Sequence, residues 1–152
     1  MPSSLTLSTG LTAAQLQGMI TALTNEGGAE IRIYGGPMPS SSNAGVGSAV
    51  LLATVKGPSS EALTLQVSGT VLQKDPLQAW SGNYVAAGTP TFFRLCAAND
   101  TDASSTTLPR LQGSVGRVDS DLNLTTTEAV VDQPVPIKEF IYSFREAVGG
   151  GW

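Results

Sequence analysis

Apolar residues near the start of the chain recur with the spacing of an amphipathic helix. Four of them follow the i, i+3, i+4, i+7 pattern that places side chains on one stripe of a helix: Leu16, Met19, Ile20 and Leu23. Thr12 is a suitable N-cap with Gln15 three residues later, and the glycines at 27–28 are typical of a helix end. We therefore predict a helix over residues 12–25, with a close packing contact at Gly18 inside it.

After residue 28 the pattern changes to an alternation of apolar and polar residues, which is typical of β-strands. Residues 29–34 alternate throughout and predict a half-buried strand. Further strand-like segments, separated by turns rich in Gly, Pro and Ser, follow at 49–55, 63–67, 71–72, 91–97, 110–118, 121–124 and 137–144. This spacing predicts a mainly β protein, an antiparallel β-sandwich of jelly-roll-like or immunoglobulin-like type preceded by one α-helix.

The length of 152 residues suits one domain. We expect an N-terminal arm at 1–11, a single domain at 12–146 and a flexible C-terminal tail at 147–152. Two polar stretches, 40–48 and 99–109, are long enough to form loops that project from the body. The first residues lack the pattern of a signal peptide and no apolar run reaches membrane-spanning length, so we expect synthesis in a cytoplasm and no membrane partner.

Composition narrows the chemistry that the chain can perform. It contains no histidine and a single cysteine, Cys96, which excludes His-based catalytic triads, His-ligated zinc and internal disulfides. Cys96 lies in an apolar strand pattern and is interpreted as a small buried side chain. The net charge of −4 argues against a nucleic-acid partner, because such proteins present a basic surface to phosphates. We expect neither enzymatic activity nor a cofactor.

Two Asp-x-Asp pairs are the candidates for cation binding, Asp100 with Asp102 and Asp119 with Asp121. Neither pair is followed by both the turn glycine and the bidentate glutamate of an EF-hand loop. We interpret both pairs as Asx turns, with a surface Ca²⁺ site as the alternative.

Arginines on strand-like segments suggest a subunit interface, because arginine is favoured in ion pairs between proteins. A tryptophan in a glycine-rich tail could add an aromatic anchor. The candidate interface residues are Trp152, Arg32, Arg94, Arg110 and Arg117. Trp80 and Tyr84 are interpreted as core or interface aromatics, with contact to a glycan as the alternative.

Several short motifs occur in a defined order along most of the chain. Residues 27–39 read GG-x-x-I-R-I-Y-x-G-x-x-P. They are followed by LLAT at 51–54, TFFRL at 91–95, GSVG at 113–116, DLNL at 121–124 and VPIKEFIY at 135–142. This order resembles a family of small structural proteins from tailed bacteriophages. The resemblance implies a virion component and supplies no catalytic residues. The chain departs from the family pattern at 101–110 and at 149–152, where it could make contacts of its own.

The resemblance leads us to expect a capsid decoration, or cement, protein. Such a protein is made in the host cytoplasm, binds the outside of the head and stabilises contacts between major capsid subunits. Its expected partners are the major capsid protein and further copies of itself, as a dimer or trimer. The alternatives are a neck, tail or fibre component, and a carbohydrate-binding module for host-surface glycans.

Overall fold

A computed structural model describes residues 6–143 of the chain. Its N-terminal helix, α1, spans Thr9–Asn25. Ser8 is the N-cap, with an extended backbone and an Oγ that accepts a hydrogen bond of 3.1 Å from the Leu11 N–H. The predicted cap at Thr12 is therefore wrong, because Thr12 lies one turn inside the helix and is buried there.

The end of α1 and its apolar stripe agree with the prediction. Gly27 and Gly28 have φ angles of +104° and +93°, and the Gly28 N–H donates to the Leu23 carbonyl at 2.9 Å. The predicted packing contact at Gly18 is wrong, because, apart from its chain neighbours and the helix backbone, no described atom lies within 4 Å of the position that a Cβ would occupy. Gly18 instead borders an open apolar groove between α1 and the strand that contains Leu111.

Eight strands follow α1 in the described part of the chain, with a short turn at Pro58–Ser60. They are β1 (Ala29–Gly35), β2 (Val50–Val55), β3 (Leu65–Ser68), β4 (Val71–Lys74), β5 (Pro90–Ala97), β6 (Arg110–Gly116), β7 (Leu122–Leu124) and β8 (Ile137–Ser143).

The strands hydrogen-bond in the order β2-β1-β5-β6-β7-β8-β4-β3. Neighbouring strands are antiparallel except β6 and β7, which are parallel. The predicted mainly β fold with one N-terminal helix is thus confirmed. Its division into a jelly-roll-like or immunoglobulin-like sandwich stays a prediction.

The sheet curls around a single apolar core. The Leu63 N–H, just before β3, donates to the Ala29 carbonyl of β1 at 2.9 Å, which brings the last strand of the order back towards β1. Leu16 and Leu23 of α1 are buried in the same core. The helix therefore packs against the apolar core that the curled sheet surrounds.

The central strands β1 and β5 are buried on both faces, although the alternation in β1 predicted burial on one face only. Ile31 and Ile33 point into the core with Phe93. The opposite face carries Arg32 and Arg94 among other polar residues, and both are buried as well. A second layer of chain must therefore cover this polar face.

Candidate functional site

Charged side chains line up across the polar face of β1, β5 and β6. Arg32 lies directly opposite Arg94 in the sheet register, and Arg94 lies opposite Gln112. Arg110 is two residues from Gln112 and therefore projects from the same face of β6. Like charges directly opposite one another destabilise a sheet, so this row of arginines requires anions nearby.

The most buried ion pair joins Arg110 to Asp100. Arg110 Nε and Nη2 donate to the two carboxylate oxygens at 2.7 Å each, with side-chain exposures of 1% and 0%. Burial by itself raises the pKa of Asp100, but the hydrogen bonds from Arg110 and from the Asp102 N–H hold it below its ordinary value. This bidentate pair is fully formed within the chain and needs no outside partner.

A second group of charges surrounds Arg32. Arg32 Nε donates to Glu30 Oε2 at 2.6 Å, and Lys56 Nζ lies 3.4 Å from the other oxygen of Glu30. Arg32 Nη1 is 3.2 Å from Asp102 Oδ1, an ion pair whose geometry does not form a hydrogen bond. The Tyr34 hydroxyl donates to Asp102 Oδ2 at 2.6 Å, and burial together with this bond raises the pKa of Tyr34 well above its ordinary value.

Arg94 is fully buried, yet no carboxylate described for residues 6–143 lies within ion-pair distance of it. Its Nε donates to Gln112 Oε1 at 3.0 Å and its Nη2 to the Ala44 carbonyl at 2.5 Å, while Nη1 has no hydrogen-bond partner among the described residues. Burial and the nearby charge of Arg110 lower the pKa of Arg94. The charges of Asp100 and Asp102 compensate for it only at longer range.

The arginines hold two loops, 36–49 and 98–109, against the sheet. Three guanidinium groups donate to carbonyl oxygens of these loops, at Ser42, Ala44, Ala98, Asp100 and Ala103. The loops also bond to each other, since the Ser105 N–H donates to the Asn43 carbonyl at 2.8 Å and the Val46 N–H to the Asp102 carbonyl at 3.3 Å. The expectation that both loops project from the body is wrong, because buried arginines draw them over the polar face.

This arrangement corrects the assignment of three candidate interface residues. Arg32 and Arg94 are buried, the side chain of Arg110 is 1% exposed, and all three guanidinium groups donate hydrogen bonds to loop carbonyls within the chain. Arg117 is exposed and stays a candidate for contact with another molecule. Trp152 lies outside the described residues.

The two aromatic residues considered for glycan binding are also buried. Trp80 is 8% exposed, donates from Nε1 to Gln78 Oε1 at 2.8 Å and packs against the ring of Phe140. Tyr84 is 1% exposed, and its hydroxyl has no hydrogen-bond partner in the part of the chain that the structure describes. The glycan assignment is therefore wrong for both residues, whereas the core interpretation is confirmed.

The Asp-x-Asp pairs serve the fold in different ways. Asp100 Oδ1 accepts the Asp102 N–H at 2.8 Å, which is the predicted Asx turn. Asp121 Oδ2 instead accepts the Ser114 N–H at 2.9 Å across to β6. Among the described residues, no three His, Cys, Asp or Glu side chains are grouped to hold a metal ion.

Cys96 is fully buried on β5, as predicted. Burial raises the pKa of its thiol to about 12. At neutral pH the thiol therefore stays protonated and is a poor nucleophile.

A different kind of polar site lies at the end of β2. A recess of about 490 Å³ is lined there by Thr54, Lys56, Ser59, Ser60, Ser81 and Asn83, together with two glycines. Sequence reasoning missed this site because its residues come from three separate segments of unremarkable turn composition. Sequence reasoning also missed the pairing of Asp100 with Arg110. The pattern that could have indicated it is an acidic residue in the loop that precedes a strand beginning with arginine.

Comparison with protein-family models, curated protein sequences and solved structures gives no match to this chain. No helix of the described residues is both long and apolar enough to span a membrane.

Proposed function

We propose that the chain is a virion structural protein of a tailed bacteriophage, and more specifically a capsid decoration protein. It would bind the outside of the head and bridge neighbouring major capsid subunits. The starting point is the order of motifs between residues 27 and 142, which resembles such phage proteins. The structural support comes from the way in which loops 36–49 and 98–109 are held.

The motif residues themselves form the scaffold rather than a recognition surface. The segment 27–39 covers β1, LLAT lies in β2 and TFFRL lies in β5. Two of the arginines in these motifs, Arg32 and Arg94, donate from the sheet to carbonyls of loops 98–109 and 36–49, which together are called the loop pair. Recognition would then fall to the loops, which agrees with the departure from the family pattern at 101–110.

The observation that carries the proposal is that two long polar loops are tied to the sheet and to each other by hydrogen bonds within the described chain. Their outward residues include Ser41, Asn43, Ser104 and Thr106, all of them exposed. A loop that is already ordered loses little conformational entropy on binding, so modest polar contacts give more affinity. Repetition of such contacts over a capsid lattice would turn them into strong attachment through avidity.

The test uses heads assembled from major capsid protein alone and this protein added in excess. Bound copies are counted by quantitative mass spectrometry, and the melting temperature of the heads is measured with and without the protein. We expect hundreds of copies per head and a raised melting temperature. Binding of a dozen copies or fewer would overturn the decoration role and favour the neck, tail or fibre alternative.

Two substitutions locate the contact. Ser41→Glu and Thr106→Glu place charge on the outer side of the loop pair, and Ser68→Glu on the exposed β3–β4 turn is the matched control. We expect the two loop variants to fold normally and to lose at least about tenfold in binding, as for a disrupted interface centre. Equal binding by all three variants would show that the loops are not the contact surface.

A further inference from the structure

The recess at the end of β2 is a polar region that the fold does not use. Its volume of about 490 Å³ is in the range of small-molecule sites. One wall is the end of β2 with Lys56, another is the turn at 58–60, and the third is the segment 81–83. Lys56 and Ser81 exchange two backbone hydrogen bonds of 2.9 Å, which fix the first and third walls relative to each other.

Five hydroxyl or amide side chains line this recess, namely Thr54, Ser59, Ser60, Ser81 and Asn83. None of these side chains hydrogen-bonds to another group of the described chain. The polar side chains of the loop pair behave differently, since the hydroxyls of Ser104 and Ser105 both accept backbone N–H groups. The recess therefore presents a set of donors and acceptors that are available to a ligand.

The backbone around the recess is shaped for close approach. Ser59 and Ser60 have φ angles of +55° and +62°, a left-handed conformation that non-glycine residues seldom adopt and that concentrates at binding sites. At Gly82 a Cβ would overlap the carbonyl oxygen of Thr54, so only glycine lets these two walls meet.

Lys56 gives the recess one positive end. Its side chain is 35% exposed, and it shares its counter-ion Glu30 with the more tightly bound Arg32. The described residues that line the recess include no carboxylate. An anionic group on a ligand would thus meet the ammonium of Lys56, whose counter-ion Glu30 is buried and is bound more closely by Arg32.

The polar side chains that line the recess favour a ligand that carries several hydrogen-bonding groups. No aromatic or large apolar side chain is found among the described lining residues, which disfavours an apolar or planar ligand. We propose that the recess binds an acidic saccharide unit, with its ring hydroxyls on the serine, threonine and asparagine side chains and its carboxylate on Lys56. This site is separate from the buried Trp80 and Tyr84 and does not depend on the capsid role.

The test titrates ¹⁵N-labelled protein with sodium glucuronate, with glucose as the neutral analogue and with inorganic phosphate as the bare anion. We expect glucuronate to shift the Asn83 side-chain amide and the backbone amides of Ser59 and Ser60 at millimolar concentrations. Glucose should bind about two- to fivefold more weakly, as expected for loss of one partly exposed ion pair. Phosphate should bind more weakly still, because it cannot reach all the hydroxyl groups.

Two variants and two controls make the assignment specific. Lys56→Gln should abolish the preference for glucuronate over glucose, and Asn83→Ala should weaken both sugars. Lys138→Gln and Ser68→Ala, which remove a lysine and a hydroxyl outside this recess, should leave both affinities unchanged. The proposal is overturned if glucuronate causes no shift at the recess up to about 50 mM, if phosphate binds as tightly as glucuronate, or if the controls weaken binding as much as the recess variants.

Discussion

The protein has two polar regions that use the same kinds of side chain in opposite ways. Over β1, β5 and β6, the charged groups are buried and nearly all bound to one another or to loop carbonyls. In the recess at the end of β2, the hydroxyl and amide groups are open and unbound within the described chain. Lys56 connects the two regions, because it lines the recess and pairs with Glu30 of the buried network.

This difference separates groups that build the fold from groups that are free for binding. A buried polar group without its partner is costly, so each member of the network depends on the others. Removal of a group that already faces water changes the free energy of unfolding only a little. The two regions should therefore respond very differently to the same kind of substitution.

Asp100→Ala should have the largest effect. It leaves the guanidinium of Arg110 buried without its bidentate partner, and we expect a loss of about 3–5 kcal/mol in the free energy of unfolding. Urea denaturation followed by tryptophan fluorescence measures it. Glu128→Ala, which removes an exposed carboxylate, is the control and should change stability by less than about 0.5 kcal/mol. Similar values for the two variants would contradict a structural role of the network.

A pair of tyrosines offers a sharper comparison. Tyr34→Phe removes the hydrogen bond to Asp102 and should cost about 1.5–3 kcal/mol, the range for bonds to charged groups. Tyr84→Phe removes a buried hydroxyl that has no partner within residues 6–143, so the stability of this variant should be unchanged or slightly increased. The same denaturation assay decides, and an equal loss in both variants would show that burial alone, and not the network bond, sets the effect.

Stability should also fall in acid because of Asp100. Its pKa is lower in the folded protein than in the unfolded chain, so its contribution is fully present above the unfolded value of about 4. That contribution is lost as the pH falls from there through the lower folded value. Unfolding free energies measured from pH 6 to pH 2 should therefore drop less steeply for Asp100→Asn than for the wild type. If the two plots of unfolding free energy against pH run parallel, Asp100 does not cause the loss of stability in acid.

Substitutions in the recess should have the smallest effect on stability. Ser81→Ala and Asn83→Ala remove exposed groups without internal bonds, and each should change the unfolding free energy by less than about 0.5 kcal/mol. A loss above about 1 kcal/mol would show that these side chains serve the fold and would weaken the distinction between the two regions.

The sequence predicted the local elements better than the long-range contacts. Helical spacing at Leu16 and Leu23 and alternation in β1 depend on neighbours along the chain, so both patterns were visible. The role of Arg32 and Arg94 in holding the loops was not visible, because the loop carbonyls that they bind lie far away along the chain. The recess was hidden for the same reason, since its walls meet only after β2 pairs with the segment around Ser81.

The central claim is that the buried network orders loops 36–49 and 98–109 before any partner binds. Native-state hydrogen exchange at the Val46 and Ser105 amides tests it most directly, because both donate between the two loops. In the wild type these amides should be protected to a degree comparable with amides in β5, and Arg94→Met should release them while β5 stays protected. Exchange of Val46 and Ser105 at the rate of an unstructured peptide in the wild type would contradict the account.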